Sequence, residues 1–199
     1  MPAPEKPREN PPENPPGNQG KPPSGPASLH APWRQEYIES IDDKKPAPGS
    51  VSFLHDYWQH PERDESNHVV VRTDSGMILL NMYPYAGGHL LVALGEPRPA
   101  LLDYSADQRA ALWKLSDLAA ELMQLAINPQ GINIGVNQGR AAGAGLPNHL
   151  HVHLVPRWNG DVNFVNIVGS VRIISASLSV MAARYRNAWE QIRSTPPAQ

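Results

Sequence analysis

The stretch Asn148-His149-Leu150-His151-Val152-His153-Leu154-Val155 alternates imidazole rings with aliphatic side chains. Side chains on a β-strand point to opposite faces with a period of two, so as a strand this stretch puts its three histidines on one face and Leu150, Val152 and Leu154 on the other. The chain must then build a sheet with one apolar face and one chemical face. A packed core does not line up three imidazoles without partners, because each unpaired buried polar group costs roughly 1–3 kcal/mol. Metal ligation and phosphoryl chemistry both use histidines in this way. For His30, His55, His60 and His68, which stand apart, a structural role is the expectation.

The segment before the run separates the two chemistries. Residues 139–148 contain no Asp or Glu but do contain Gly139, Gly143 and Gly145. Glycines let backbone approach a ligand, and successive N–H groups in such loops can form concave anion sites. An anion such as phosphate is therefore expected beside the histidines, where a neutral imidazole can attack phosphorus.

Ten of the 22 prolines fall within the first 28 residues. Residues 1–31 have almost no large apolar side chains to offset ordering entropy, so a disordered Pro-rich tail is expected there. Residues 32–193 fit one catalytic domain, and 194–199 form a frayed end. The net charge of −2 and the lack of a Lys/Arg-rich window argue against nucleic acid as a partner. No apolar stretch reaches the 18 residues a membrane span needs, and the N-terminal segment lacks a secretory signal; the expectation is a cytoplasmic protein without membrane contact. The absence of cysteine excludes disulfides and thiolate metal sites.

Short helices are expected over 33–42 and 50–59. Strands are expected over 67–72 and 77–82, joined across Thr73-Asp74-Ser75-Gly76, and over 88–94. Ser105 with Gln108 forms a candidate capping box, followed by Leu112, Leu115, Leu118, Leu122 and Leu125 at helical spacing. Asn128-Pro129 ends that helix, 132–136 alternates as a strand, and Pro156 is expected to close the histidine strand. A last helix is expected over 175–192. Strands in runs with separate helices indicate an α+β fold.

Taken together, these residues resemble the histidine triad (HIT) superfamily of nucleotide hydrolases and nucleotidyl transferases. The run 149–155 matches its His-φ-His-φ-His-φ-φ pattern. The likeness extends to Asn81-Met82-Tyr83-Pro84-Tyr85 with Gly88-His89, to 133–145 and to 156–161, in the manner of the bacterial diadenosine tetraphosphate phosphorylase branch. The resemblance implies a HIT-like fold, a mainly antiparallel five-stranded sheet with a long helix packed on it and a C-terminal helix, usually paired as a homodimer. It implies that His151 attacks the α-phosphorus of a dinucleoside polyphosphate to form a nucleotidyl-histidine, that His149 and His153 orient it, and that His89 supports the triad. In that reading His149 reaches phosphate oxygens and His153 lies behind.

By the same resemblance Asn81 contacts the ribose, with turn capping before Tyr83-Pro84 as its alternative. Asn137, Gln138, Gly143 and Gly145 are the expected phosphate contacts, with loop geometry alone as the alternative for Gly143 and Gly145. No cofactor is required, though magnesium can accompany the polyphosphate. The branch's Cys-x-x-Cys element has no counterpart near Ser50-Val51-Ser52-Phe53, so a structural zinc is not expected. Phosphate or water as acceptor would make a phosphorylase or a hydrolase, and the residues leave both open, along with a non-catalytic nucleotide-binding module.

Overall fold

The runs rich in Val, Ile and Leu pair as five antiparallel strands in the order β1-β2-β3-β5-β4: β1 Val69–Arg72, β2 Gly76–Leu80, β3 Leu90–Leu94, β4 Gly131–Val136 and β5 His151–Arg157. This is a computed structural model, and it describes residues 52–161 and 176–194. The expected tail (1–31), the helix over 33–42 and residues 195–199 lie outside the described residues. Among the described residues three α-helices accompany the sheet: α1 Phe53–Gln59, α2 Ala106–Ile127 and α3 Leu178–Ser194. The fold is α+β, with the mainly antiparallel five-stranded sheet that was expected.

Period-two alternation sorts the sheet into two faces. Ile78, Leu80, Leu90, Val92, Leu94, Leu150, Val152 and Leu154 pack with Leu112, Leu115, Ala119, Leu122 and Met123 of α2 and with Met181, Ala182, Tyr185 and Ala188 of α3. The opposite face carries Val69, Met77, Leu79, Leu91 and Ala93, packed against Leu54 with Phe53, Tyr57 and Trp58 of α1. His151 pairs with Ala93 and His153 with Leu91, which places both histidines on the α1 side.

The capping box at the start of α2 forms as the sequence indicates: Gln108 N–H donates to Ser105 Oγ at 3.2 Å, and Ser105 N–H donates to Gln108 Oε1 at 2.9 Å. Asn128, left-handed at φ 43°, ends the helix. Two boundaries differ from expectation. Strand β5 runs through Pro156, which pairs with Ile132. Strand β3 has by then ended at the Leu90–Leu154 pair, so the proline falls where β5 has a single neighbour and its missing N–H is tolerated. Helix α3 starts at Leu178 and extends to Ser194 rather than fraying before it. Among the described residues no helix is long and apolar enough to cross a membrane.

Candidate active site

His149 precedes β5 and is held from three directions. Its backbone N–H donates to Leu146 O at 3.2 Å, and the next N–H, of Leu150, donates to Arg98 O at 2.8 Å. Its ring is fully buried, with Nε2 2.8 Å from Leu94 O and Nδ1 2.7 Å from Ser52 Oγ. A carbonyl only accepts, so Nε2 carries the proton and Nδ1 accepts from the Ser52 hydroxyl. Burial disfavours the charged form and lowers this imidazole to about 4. Both ring nitrogens of His149, which was expected to reach phosphate oxygens, are engaged inside the protein by Leu94 O and Ser52 Oγ.

His151 follows, buried but for a 6% exposed edge. Its Nδ1 lies 2.9 Å from the carbonyl oxygen of His149, which again only accepts. The proton therefore resides on Nδ1, and Nε2 presents its lone pair. Burial, partly opposed by that backbone bond, pushes the His151 pKa below the ordinary histidine value, which favours the neutral form.

A second chain of bonds sets the third histidine. Tyr85 N–H at 3.1 Å and Asn81 Nδ2 at 3.2 Å both address His89 Nδ1, so His89 Nε2 holds the proton. That nitrogen lies 3.0 Å from His153 Nδ1. His153 Nδ1 thus accepts, and the proton of His153 resides on Nε2. The rings of His151 and His153 are 4.8 Å apart. The ring of His153, expected to lie behind, therefore carries its proton on Nε2 and neighbours the His151 ring. Tyr85 stacks on His89 at 4.8 Å and on His153 at 5.9 Å between ring centres, covering this pair.

His89 itself is placed by Gly88, whose φ of +93° suits glycine and whose added Cβ would meet the Ile127 side chain at 2.8 Å. Tyr185 of α3 donates its hydroxyl to Gly88 O at 2.7 Å, tying the C-terminal helix to this turn. His89, whether a support of the triad or a residue of the strand start, is thus hydrogen-bonded to His153.

The remaining expected contacts divide. Asn81 Oδ1 accepts from Tyr83 N–H at 3.0 Å, which is the turn-capping alternative, while its amide braces His89. Gln138 Oε1 accepts from Leu101 N–H at 2.9 Å and so ties the loop to the segment before α2. Gly143, φ +83°, donates its N–H to Arg140 O at 2.9 Å, and Ala142 and Ala144 donate to Gly139 O. The first two N–H groups, of Ala142 and Gly143, close a 3-10 turn, and that of Ala144 reaches back five residues to Gly139. Asn137 comes directly after the Val136–Val152 pair, beside His151, and Gly145 lies in the loop leading to His149. Among the described residues no group of three or more His, Cys, Asp or Glu side chains is placed to hold a metal ion.

Ser52, the Leu94 carbonyl and Tyr85 are participants that the sequence did not reveal. Ser52 is 97 residues from its partner, and the local signal there is only that of a helix N-cap: its Oγ accepts from His55 N–H at 3.1 Å.

Residues 62–160 match the model of the HIT domain. AP-4-A phosphorylase of Mycobacterium tuberculosis (strain CDC 1551 / Oshkosh) is 35% identical over 147 residues, covering 73% of this chain and 75% of that protein. The chain belongs to the HIT family. Among more distant HIT relatives, the asymmetrical bis(5'-nucleosyl)-tetraphosphatase of Schizosaccharomyces pombe is 28% identical over 104 residues, 52% of this chain and 57% of that protein. A crystal structure of a hypothetical histidine triad nucleotide-binding protein from Sulfolobus tokodaii shares the fold, with a TM-score of 0.57 at 23% identity, covering 69% of this chain and 93% of that one.

Proposed function

We propose that this HIT-family enzyme transfers a nucleotidyl group from a dinucleoside polyphosphate through a nucleotidyl-His151 intermediate, with inorganic phosphate as the acceptor. The observation that carries this reading is the bond from His151 Nδ1–H to the carbonyl of His149, which leaves the lone pair on Nε2 and so supports nucleophilic attack from that nitrogen. The 35% identity to AP-4-A phosphorylase supports the substrate class.

In the first half-reaction His151 Nε2 bonds to the α-phosphorus of diadenosine tetraphosphate as the bond from that phosphorus to the bridging oxygen breaks. The departing ATP leaves as an anion that accepts a hydrogen bond from His153 Nε2–H, and His89, donating to His153 Nδ1, keeps that proton on Nε2, so both imidazoles stay neutral through both half-reactions. In the second, an oxygen of phosphate bonds to the same phosphorus, the P–N bond breaks, and ADP leaves. Asn137 and Gly145 are assigned to the phosphates, whereas Asn81, Gln138 and Gly143 hold the frame around them. No resident cofactor is needed; magnesium enters as counter-ion of the polyphosphate.

The same reading carries a homodimer. Strand β4 is an edge of the sheet, and Ile134 on it is 49% exposed, so a second copy can add its own edge there. The experiment for the acceptor is incubation with diadenosine tetraphosphate with and without phosphate. ADP plus ATP formed only with phosphate supports the phosphorylase; AMP plus ATP regardless of phosphate would make the protein a hydrolase, as the S. pombe relative is named.

A further inference from the structure

We infer that Ser52 is a positioning residue of this site: its hydroxyl pins the His149 ring and thereby steadies the carbonyl that holds the proton of His151. The inference rests on the reading of His151 as nucleophile. It begins from direction. Leu94 O takes the Nε2 proton of His149, so Nδ1 needs a donor, and Ser52 Oγ is the group at 2.7 Å. That oxygen already accepts from His55 N–H at 3.1 Å, which leaves its own proton for the imidazole. Both partners are buried, Ser52 at 2% exposure and His149 at 0%, so solvent does not readily replace the bond.

An N-cap alone does not account for the arrangement. Capping uses a lone pair of the hydroxyl oxygen, whereas the bond to His149 uses its hydrogen and crosses 97 residues of sequence. The rest of α1 is braced as though to deliver this one group. Arg72 Nη2 and Nη1 donate to the carbonyls of Tyr57 at 2.8 Å and Trp58 at 3.1 Å, and Arg72 Nε pairs with Asp64 at 2.7 Å. A seven-residue helix, too short to be stable alone, is thereby fixed at its far end while its first turn meets the histidine.

The consequence for chemistry runs through the backbone. The residue that accepts the Ser52 hydroxyl on its ring accepts His151 Nδ1–H on its carbonyl. Removing the hydroxyl leaves a buried ring nitrogen without a partner, and the His149 ring turns to find one. Its carbonyl shifts with it, and a nucleophile held less firmly attacks more slowly, with little change in how tightly substrate is held.

The test is Ser52→Gly, which costs little as a cap substitution, measured beside Ser52→Thr, which restores the hydroxyl, and Ser105→Ala, which removes a cap remote from the site. Single-turnover adenylylation from diadenosine tetraphosphate is read with nucleotide affinity, and histidine 15N spectra report which ring nitrogens are protonated or accept a bond. In the unsubstituted protein His149 Nδ1 should resonate as a hydrogen-bonded acceptor. In Ser52→Gly that signature should vanish, the His151 Nδ1 proton should exchange faster, and adenylylation should slow roughly 10- to 100-fold at nearly constant affinity. Ser52→Thr should recover most of the rate. A protonated Nδ1 on His149 in the unsubstituted protein overturns the inference, as does an unchanged rate in Ser52→Gly or an equal loss in Ser105→Ala. Failure to adenylylate in the unsubstituted protein would instead overturn the nucleophile, and the spectra would still decide the bond.

Discussion

His149 and His151 are neutral in the fold because they are buried, and that has a direction in pH. Their folded pKa values lie below the unfolded histidine value near 6.5, so the unfolded chain takes up protons that the folded one refuses. Stability is therefore complete above about pH 7 and falls as pH drops through the 6.5 to 4 window; for His149, at about 4, the loss approaches roughly 3 kcal/mol. Denaturant midpoints measured between pH 7.5 and 4.5 should fall accordingly, and replacement of His149 by Asn should flatten the decline. The rate should behave in the same sense, with the acidic limb of single-turnover adenylylation lying below pH 6.5. A limb at or above that value would mean that His151 is not held neutral. Gly88 supplies a second test at this scale. Gly88→Ala meets both a positive φ and the Ile127 side chain, so it should cost about 1–3 kcal/mol in thermal or chemical unfolding and displace His89.

Elements were legible where local chemistry decides them. The three-histidine strand, the capping box of α2 and the turn between β1 and β2 depend on neighbours in sequence, and each stands close to where the residues put it. What was not legible depends on partners far away. Leu125 keeps the spacing of the leucine stripe yet is 48% exposed, because at about 100° per residue it lies roughly 140° around α2 from Leu112. The buried arc instead passes through Ser116, Ala119 and Met123, where the sheet and α3 press on the helix. Leu122→Ala should accordingly cost about 2–5 kcal/mol in unfolding free energy, whereas Leu125→Ala should stay within about 0.5. The division of labour within the triad was hidden for the same reason. The hydrogen bonds that hold the rings of His149 and His89 come from Ser52, Leu94 and Tyr85, none of which lies within the histidine run.

Across the whole molecule, one face of a sheet is given to α2 and α3 for stability and the other, partly covered by α1, to chemistry. Among the described residues no strand pairs with the outer edge of β4, and the proposed homodimer makes a simple prediction: Ile134→Lys should lower the mass seen by sedimentation from that of two chains to one, with the fold retained. The account as a whole stands on His151 as the attacking group. It is tested most directly by mixing the protein with diadenosine tetraphosphate in the absence of phosphate, quenching within the first turnover and mapping modified peptides by mass. One adenylyl group on the peptide containing His151, absent from His151→Gly, is the predicted result; an adenylyl group elsewhere, or its persistence in His151→Gly, would contradict it.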